Sequence, residues 1–232
     1  MSRHEYVVLG DVVGSRDIED REGFRDAIAS VLGAVNERYA DDVVGEFALV
    51  KGVDEIAGVV RDPRNLYRLL RDVVAAARPG AIRFAVVYGE IDVDAAGDSV
   101  VAMDGPAFHR ADELLADVAD ADLYLAFAGR GPPLDGFVGA CVNLLLMARE
   151  DWTDRQRAMV AAYEEAGTQA AVADRFGVSQ QTVSSTLRRA DWARLAHLEA
   201  VVNEALGEYA SAGEAAPAGL ATPAAEVEDG RG

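Results

Sequence analysis

Apolar positions along this chain fall into two rhythms, one of strands and one of helices. A near-continuous, β-branched run over Glu5–Val13 predicts a buried strand. Phe24, Ile28, Leu32, Val35 and Tyr39 then recur near helical spacing and predict an amphipathic helix from Asp20 to Tyr39. Val43–Val50 and Glu55–Val60 predict two strands, and the short Lys51-Gly52-Val53-Asp54 connection makes them a hairpin. Pro63 opens a second helix with Leu66, Leu69, Leu70, Val73 and Val74, which Pro79-Gly80 ends. Ile82–Val93 predicts a further strand, followed by a helix from about Pro106 to Val118 and a strand over Leu123–Phe127. The first six elements read as a split βαββαβ, ferredoxin-like unit, which buries one sheet face under two helices.

Gly129-Arg130-Gly131-Pro132-Pro133 breaks this pattern, and helices resume at about Leu134–Glu150. Trp152-Thr153-Asp154-Arg155-Gln156 reads as a helix start, with Thr153 capping and Gln156 reaching back. The expected class is α+β: a sheet domain over residues 1–130, then an all-α region over 134–208. Residues 209–232 are expected to form a disordered tail, because Ala, Gly, Pro and Glu dominate there.

Within the helical region, Thr168–Ala190 carries the parts of a helix-turn-helix. Ala173 is small where two helices would cross, and Gly177 suits a turn with positive φ. Val172, Phe176, Val178, Val183 and Leu187 supply a small shared core, and Ser179 caps the second helix. That helix would present Gln180, Gln181, Thr182, Ser184 and Ser185, with Arg188 and Arg189 at its end. Glutamine and serine can hydrogen-bond base edges in a major groove, and the arginines can hold phosphates. The alternative is a helical hairpin used only for packing or dimerisation.

Charge sharpens the picture. The chain has 22 basic and 40 acidic residues, for a net charge of −18 over 232 residues, and Lys51 is its one lysine. So acidic a composition suggests a salt-rich, haloarchaeal cytoplasm, where self-repulsion is screened; an acidic protein from a GC-rich genome is the alternative. The acidity is uneven: residues 1–150 carry net −12, residues 151–199 net −1 and residues 200–232 net −5. The near-neutral stretch is the one that would approach a polyanion. One cysteine, Cys141, allows no disulfide within the chain, and no apolar run is long enough to span a bilayer. With no signal peptide visible, a cytoplasmic protein without membrane contact is expected.

Three N-terminal segments carry candidate chemistry, the third being Ile82–Ile91 followed by Met103–Ala111. Leu9-Gly-Asp-Val-Val-Gly-Ser-Arg16 places Asp11 late in the first strand, with Gly14, Ser15 and Arg16 forming a turn able to meet a phosphate. Gly52-Val-Asp-Glu-Ile-Ala-Gly58 places Asp54 and Glu55 at the hairpin. In a split βαββαβ sheet the first and third strands are antiparallel neighbours, which brings Asp11 near Asp54. Two such carboxylates suit Mg²⁺ and phosphoryl or nucleotidyl transfer; equally, they are turn residues in an acid-rich chain.

Taken in order, Val7-Val-Leu-Gly-Asp-Val-Val-Gly-Ser-Arg16, Asp54-Glu55, Ile82-Arg-Phe84, Gly89-Glu-Ile91 and Asp104-Gly-Pro-Ala-Phe-His-Arg-Ala111 resemble the SatD family over about Glu5–Phe127. The same order distantly resembles class III nucleotidyl cyclases and diguanylate cyclases. That resemblance implies metal-binding aspartates at Asp11 and Asp54. Val53, Ile56 and Ala57 replace the glycine, aromatic and amide of the SatD hairpin, and His109 and Glu113 stand at the cyclase asparagine and arginine positions. A glutamate cannot stabilise developing negative charge, so the resemblance implies a degenerate sensor or dimerisation domain. Residues Trp152–Trp192 resemble the helix-turn-helix of sigma-factor region four. The leading expectation is a homodimeric DNA-binding regulator responding to a nucleotide or other phosphorylated ligand. The alternative is a Mg²⁺- or Mn²⁺-dependent nucleotidyl or phosphoryl transferase with accessory helices.

Overall fold

A computed structural model describes residues 2–15, 18–51, 55–77, 81–93 and 99–211. Asp54, Arg16 and the expected tail from residue 212 lie outside the described residues. The elements run β1 (Ser2–Val13), α1 (Arg21–Arg38), β2 (Val43–Lys51), β3 (Glu55–Val60), α2 (Leu66–Ala76), β4 (Ala81–Val93), β5 (Met103–Asp104), α3 (Pro106–Asp120), β6 (Leu125–Ala128), α4 (Pro132–Glu150), α5 (Asp154–Ala166), α6 (Gln169–Phe176), α7 (Gln180–Arg189) and α8 (Trp192–Ser211). The result is a mixed α/β molecule built on one mostly antiparallel sheet.

Strands follow the order β2-β3-β1-β4, each antiparallel to the next, as a split βαββαβ unit requires. The short β5 pairs with the end of β4, and β6 pairs with β4 in parallel. Both central strands are buried on both faces, which explains the unbroken apolar runs in β1 and β4.

One face of the sheet carries Tyr6, Val8, Val12, Ile56, Ile82, Phe84 and Val86. Over it lie α1 through Phe24, Ile28, Leu32 and Val35, and α2 through Leu66, Leu69, Leu70 and Val73. The opposite face is not left to solvent, as two helices on one face would imply. Val7, Leu9, Ala57, Val59, Ala85 and Val87 are covered there by α3, through Ala107, Ala111 and Leu114. Small residues permit the close approach: a Cβ on Gly89 would lie 3.2 Å from that of Ala107. Each large apolar side chain so buried contributes roughly 1.5–3 kcal/mol.

Helices α4 and α8 return to the first face. Val138, Val142, Leu145, Leu146, Leu206 and Tyr209 belong to the same buried cluster as α1 and α2. The apolar run of α4 is interrupted by Asn143, and the structure gives the reason. The Asn143 side-chain oxygen accepts from the backbone N–H groups of Tyr124 and Leu125, at 2.8 and 3.0 Å. Its amide donates to the carbonyls of Leu125 and Gly139, both at 2.8 Å. One buried amide thereby serves the outer edge of β6, which pairs with no strand but β4 among the described residues. Helix α8 continues through Tyr209, a residue that composition assigns to the tail. Tyr209 is buried and its hydroxyl donates to Asp135 at 2.5 Å. No helix among the described residues is long and apolar enough to cross a membrane.

Candidate functional site

Three polar regions stand out. The first lies where β1 ends. Register places Asp11 opposite Glu55 on β3 and opposite Arg83 on β4. Paired residues share a face, so all three belong to the α3 side of the sheet. Glu55 lines a hollow of about 330 Å³ with Leu9, Ala57, Phe108, His109 and Asp112. His109 lies 3.6 Å from Asp104, and both are exposed. The carboxylate that register sets beside Asp11 is Glu55, whereas Asp54, the expected neighbour, lies outside the described residues. Carboxylate oxygens suit Mg²⁺, but Arg83 brings a competing positive charge directly across from Asp11. Its guanidinium also donates to Asp122 at 2.7 Å. Among the described residues, no group of three or more His, Cys, Asp or Glu side chains is arranged to hold a metal. Gly14 takes a left-handed φ of +67° and Ser15 is buried.

The second region is formed by α5, α6 and α7. Thr153 and Gln156 cap α5 reciprocally, Thr168 caps α6 and Ser179 caps α7. Gly177 ends α6 at φ +61°, a conformation that costs an L-residue roughly 1 kcal/mol or more. Met159, Val160, Val172, Ala173, Val183 and Leu187 are buried between the three helices; Phe176 and Val178 are half-buried against them. Gln180, Gln181, Arg188 and Arg189 are exposed, and Thr182, Ser184 and Ser185 are half-buried. Ser184 lines a side hollow with Tyr163, Gln169 and Trp192. The Ser185 hydroxyl donates to the carbonyl of Thr182 at 3.0 Å. The most open polar stripe is thus Gln181, Arg188 and Arg189. Neither arginine makes an ion pair among the described residues.

The sequence profile of the SatD family matches residues 6–192. The chain belongs to the SatD family. No curated protein matches it. Two solved structures of a bacterial light-regulated adenylyl cyclase are similar to it. One has 13% identity and a TM-score of 0.42, over 55% of this chain and 76% of that one. The other has 14% identity and a TM-score of 0.41, over 55% of this chain and 43% of that one.

The third region of this SatD-family chain escapes a sequence reading, because its members come from four separate helices. Glu199 of α8 is buried at 5% exposure. It accepts from the Tyr67 hydroxyl at 2.6 Å, from Arg149 at 2.5 and 3.0 Å, and from Arg71 at 3.4 Å. Burial opposes ionisation of Glu199, but these donors outweigh it and hold its pKa below the ordinary value. Burial and the adjacent Glu199 carboxylate push the Tyr67 hydroxyl pKa up. Glu164 of α5 accepts from Arg149 at 2.9 Å and from the Trp192 indole at 3.3 Å. The Arg149 guanidinium lies 4.7 Å from the centre of the Trp152 ring. This junction ties α2, α4, α5 and α8 together. Nothing in the local pattern around Arg71, Arg149 or Glu199 marks it, since a single charged residue in a helix reads as solvated.

Asp135 near the start of α4 is a smaller centre of the same kind. Its carboxylate accepts from the backbone N–H groups of Gly129, Arg130 and Gly131 and from Tyr209. Burial works against its charge, but these four donors lower its pKa. The Gly129–Pro133 break is thereby a fixed turn at the head of a helix.

Proposed function

We propose that this chain is a cytoplasmic DNA-binding regulator, in which α5–α7 form a helix-turn-helix and α7 enters the major groove. The observation that carries this reading is the outer face of α7. Gln181, Arg188 and Arg189 are exposed there, and Gln180–Arg189 holds no acidic side chain in a chain of net charge −18. Amide side chains can pair with base edges and arginines with phosphates or guanine. The sheet unit would act as the sensing domain for a nucleotide or other phosphorylated ligand. Pairing of two chains is supported by α4. Leu134, Phe137, Leu144 and Met147 are exposed there, and Gly136–Ala148 carries no charged residue. A neutral apolar stripe is where two strongly acidic copies repel least.

The test is selection of bound fragments from sheared genomic DNA by the full chain in molar KCl. An enriched common sequence is expected, and its binding should weaken with Gln181→Ala and Arg188→Ala. Absence of any enriched sequence with folded protein would reject the reading.

A second reading, a Mg²⁺- or Mn²⁺-dependent nucleotidyl or phosphoryl transferase, is favoured by one observation: Asp11 and Glu55 face one another beside an open hollow. Turnover of a nucleoside triphosphate, lost in Asp11→Asn, would support it. Turnover that survives Asp11→Asn would exclude this site.

A further inference from the structure

The junction around Arg149 has a hollow on its flank. It has a volume of about 360 Å³ and lies between α2, α4 and α5. That is within the range of small-molecule pockets. Val74, Leu146, Trp152 and Ala161 form apolar wall, and Arg71, Arg149 and Arg157 reach it from three helices. Two of these guanidiniums, Arg149 and Arg71, share the buried Glu199 carboxylate. Their remaining charge is met by Glu164, at 2.9 Å from Arg149 and 3.9 Å from Arg71, and by Asp72, at 3.0 Å from Arg71.

These carboxylates are not equivalent. The side chain of Glu199 is 7% exposed and that of Glu164 is 30% exposed. Glu164 is therefore the partner that another anion can displace without opening the core. We propose that this hollow binds a small aromatic monocarboxylate, whose carboxylate takes the place of Glu164 at Arg149 and Arg71.

The chemistry limits the ligand. The apolar wall and the Trp152 ring favour a flat, apolar body. Asp72, Glu150 and Glu164 also line the hollow, so a polyanion such as a nucleoside triphosphate would meet three carboxylates. A single negative charge satisfies the arginines without that repulsion. Displacing Glu164 would also break its bond from Trp192, the first residue of α8, and so loosen α5 from α2 and α8, while Arg157 still donates to the α4 carbonyls of Arg149 and Glu150. The binding site stands by itself and does not rest on the reading of α7 given above.

The experiment is calorimetric titration of the full chain with 2-naphthoate and with the neutral 2-naphthamide. Saturable binding of naphthoate is expected, at least tenfold tighter than the amide because a charge-assisted bond is lost in the latter. Ala161→Trp and, separately, Ala158→Trp fill the hollow from the exposed side of α5 and should abolish binding while circular dichroism is unchanged. Glu164→Gln removes the competing carboxylate and should tighten naphthoate binding several-fold, whereas a purely architectural Glu164 would leave it unchanged. No saturable binding to the folded chain, equal binding of the amide, full binding in a folded tryptophan variant, or unaltered affinity in Glu164→Gln would each overturn the proposal. None of these readouts uses DNA, so a failure here is distinct from a failure of the regulator reading.

Discussion

The junction around Glu199 and the outer face of α7 hold similar side chains in opposite circumstances. At the junction, Arg71, Arg149 and Tyr67 all donate to one buried carboxylate. On α7, Arg188, Arg189 and Gln181 point to water. A polar group whose bonds are consumed inside the protein holds architecture; a group left open is available to a partner. The difference lies in burial and bonding, because arginine is the same residue in both places. Asp11 and Glu55 fall between the two, half-buried on a sheet, with Arg83 opposite Asp11.

Removing the shared carboxylate should give the largest effect. Glu199→Leu removes the buried carboxylate shared by two half-buried guanidiniums and the Tyr67 hydroxyl, and should cost about 3 kcal/mol in a denaturant melt. A change below about 1 kcal/mol would mean that the junction is wetter and weaker than its geometry says. Asn143→Leu should follow, at about 2–3 kcal/mol, because two N–H groups of the β6 segment and two carbonyls lose their partner. Hydrogen exchange at Tyr124 and Leu125 should rise in the same variant.

The junction also predicts a response to pH. Folded-state pKa values of Glu199 and Asp135 lie below their ordinary 4.5 and 3.8. The stability they provide is complete above those ordinary values and is lost as pH falls through the lower folded ones. Urea melts should therefore show stability dropping below about pH 4.5, with a shallower drop in Glu199→Gln. On the other side of the comparison, Gly177→Ala should cost about 1 kcal/mol through its left-handed backbone. Arg188→Ala should change stability least, within about 0.5 kcal/mol, while lowering cognate DNA affinity by about 1–3 kcal/mol. Equal losses of stability in Arg188→Ala and Glu199→Leu would erase the distinction between the two regions.

Much of the fold was legible in the sequence, and the reason is periodicity. The apolar runs of β1, β2, β3 and β4 and the helical spacing of α1 and α2 follow from which residues must leave water. The caps of α5 and α7 were legible too, because a cap is satisfied within three residues of chain. The same periodicity left α3 unassigned to a face. An amphipathic stripe says that a helix is covered, not by what, and a strand buried on both sides looks the same whichever helix covers it. The break at Gly129–Pro133 read as a loop, whereas Asp135 and Tyr209 make it a bonded turn.

The candidate sites divide along the same line. The meeting of the β1 end, at Asp11, with the β3 start, at Glu55, followed from strand order, since antiparallel pairing of β1 with β3 fixes which ends meet. Arg83 as the third member did not, because nothing in the run Ile82-Arg-Phe distinguishes a residue facing Asp11 from one facing water. Glu199, Arg149, Arg71 and Glu164 were invisible for a stronger reason. They come from helices up to 128 positions apart, and each alone is an ordinary charged residue in a helix.

By itself, then, the sequence determined the elements, their caps and the pairing of strands, because hydrophobic burial and backbone hydrogen bonding act over a few neighbouring residues. Only the tertiary structure decided that the second sheet face is covered, that Asn143 closes the β6 edge, and that one buried glutamate gathers two arginines and a tyrosine. Those outcomes depend on which distant side chains share a low-dielectric interior, where an unmatched charge is too costly to leave alone.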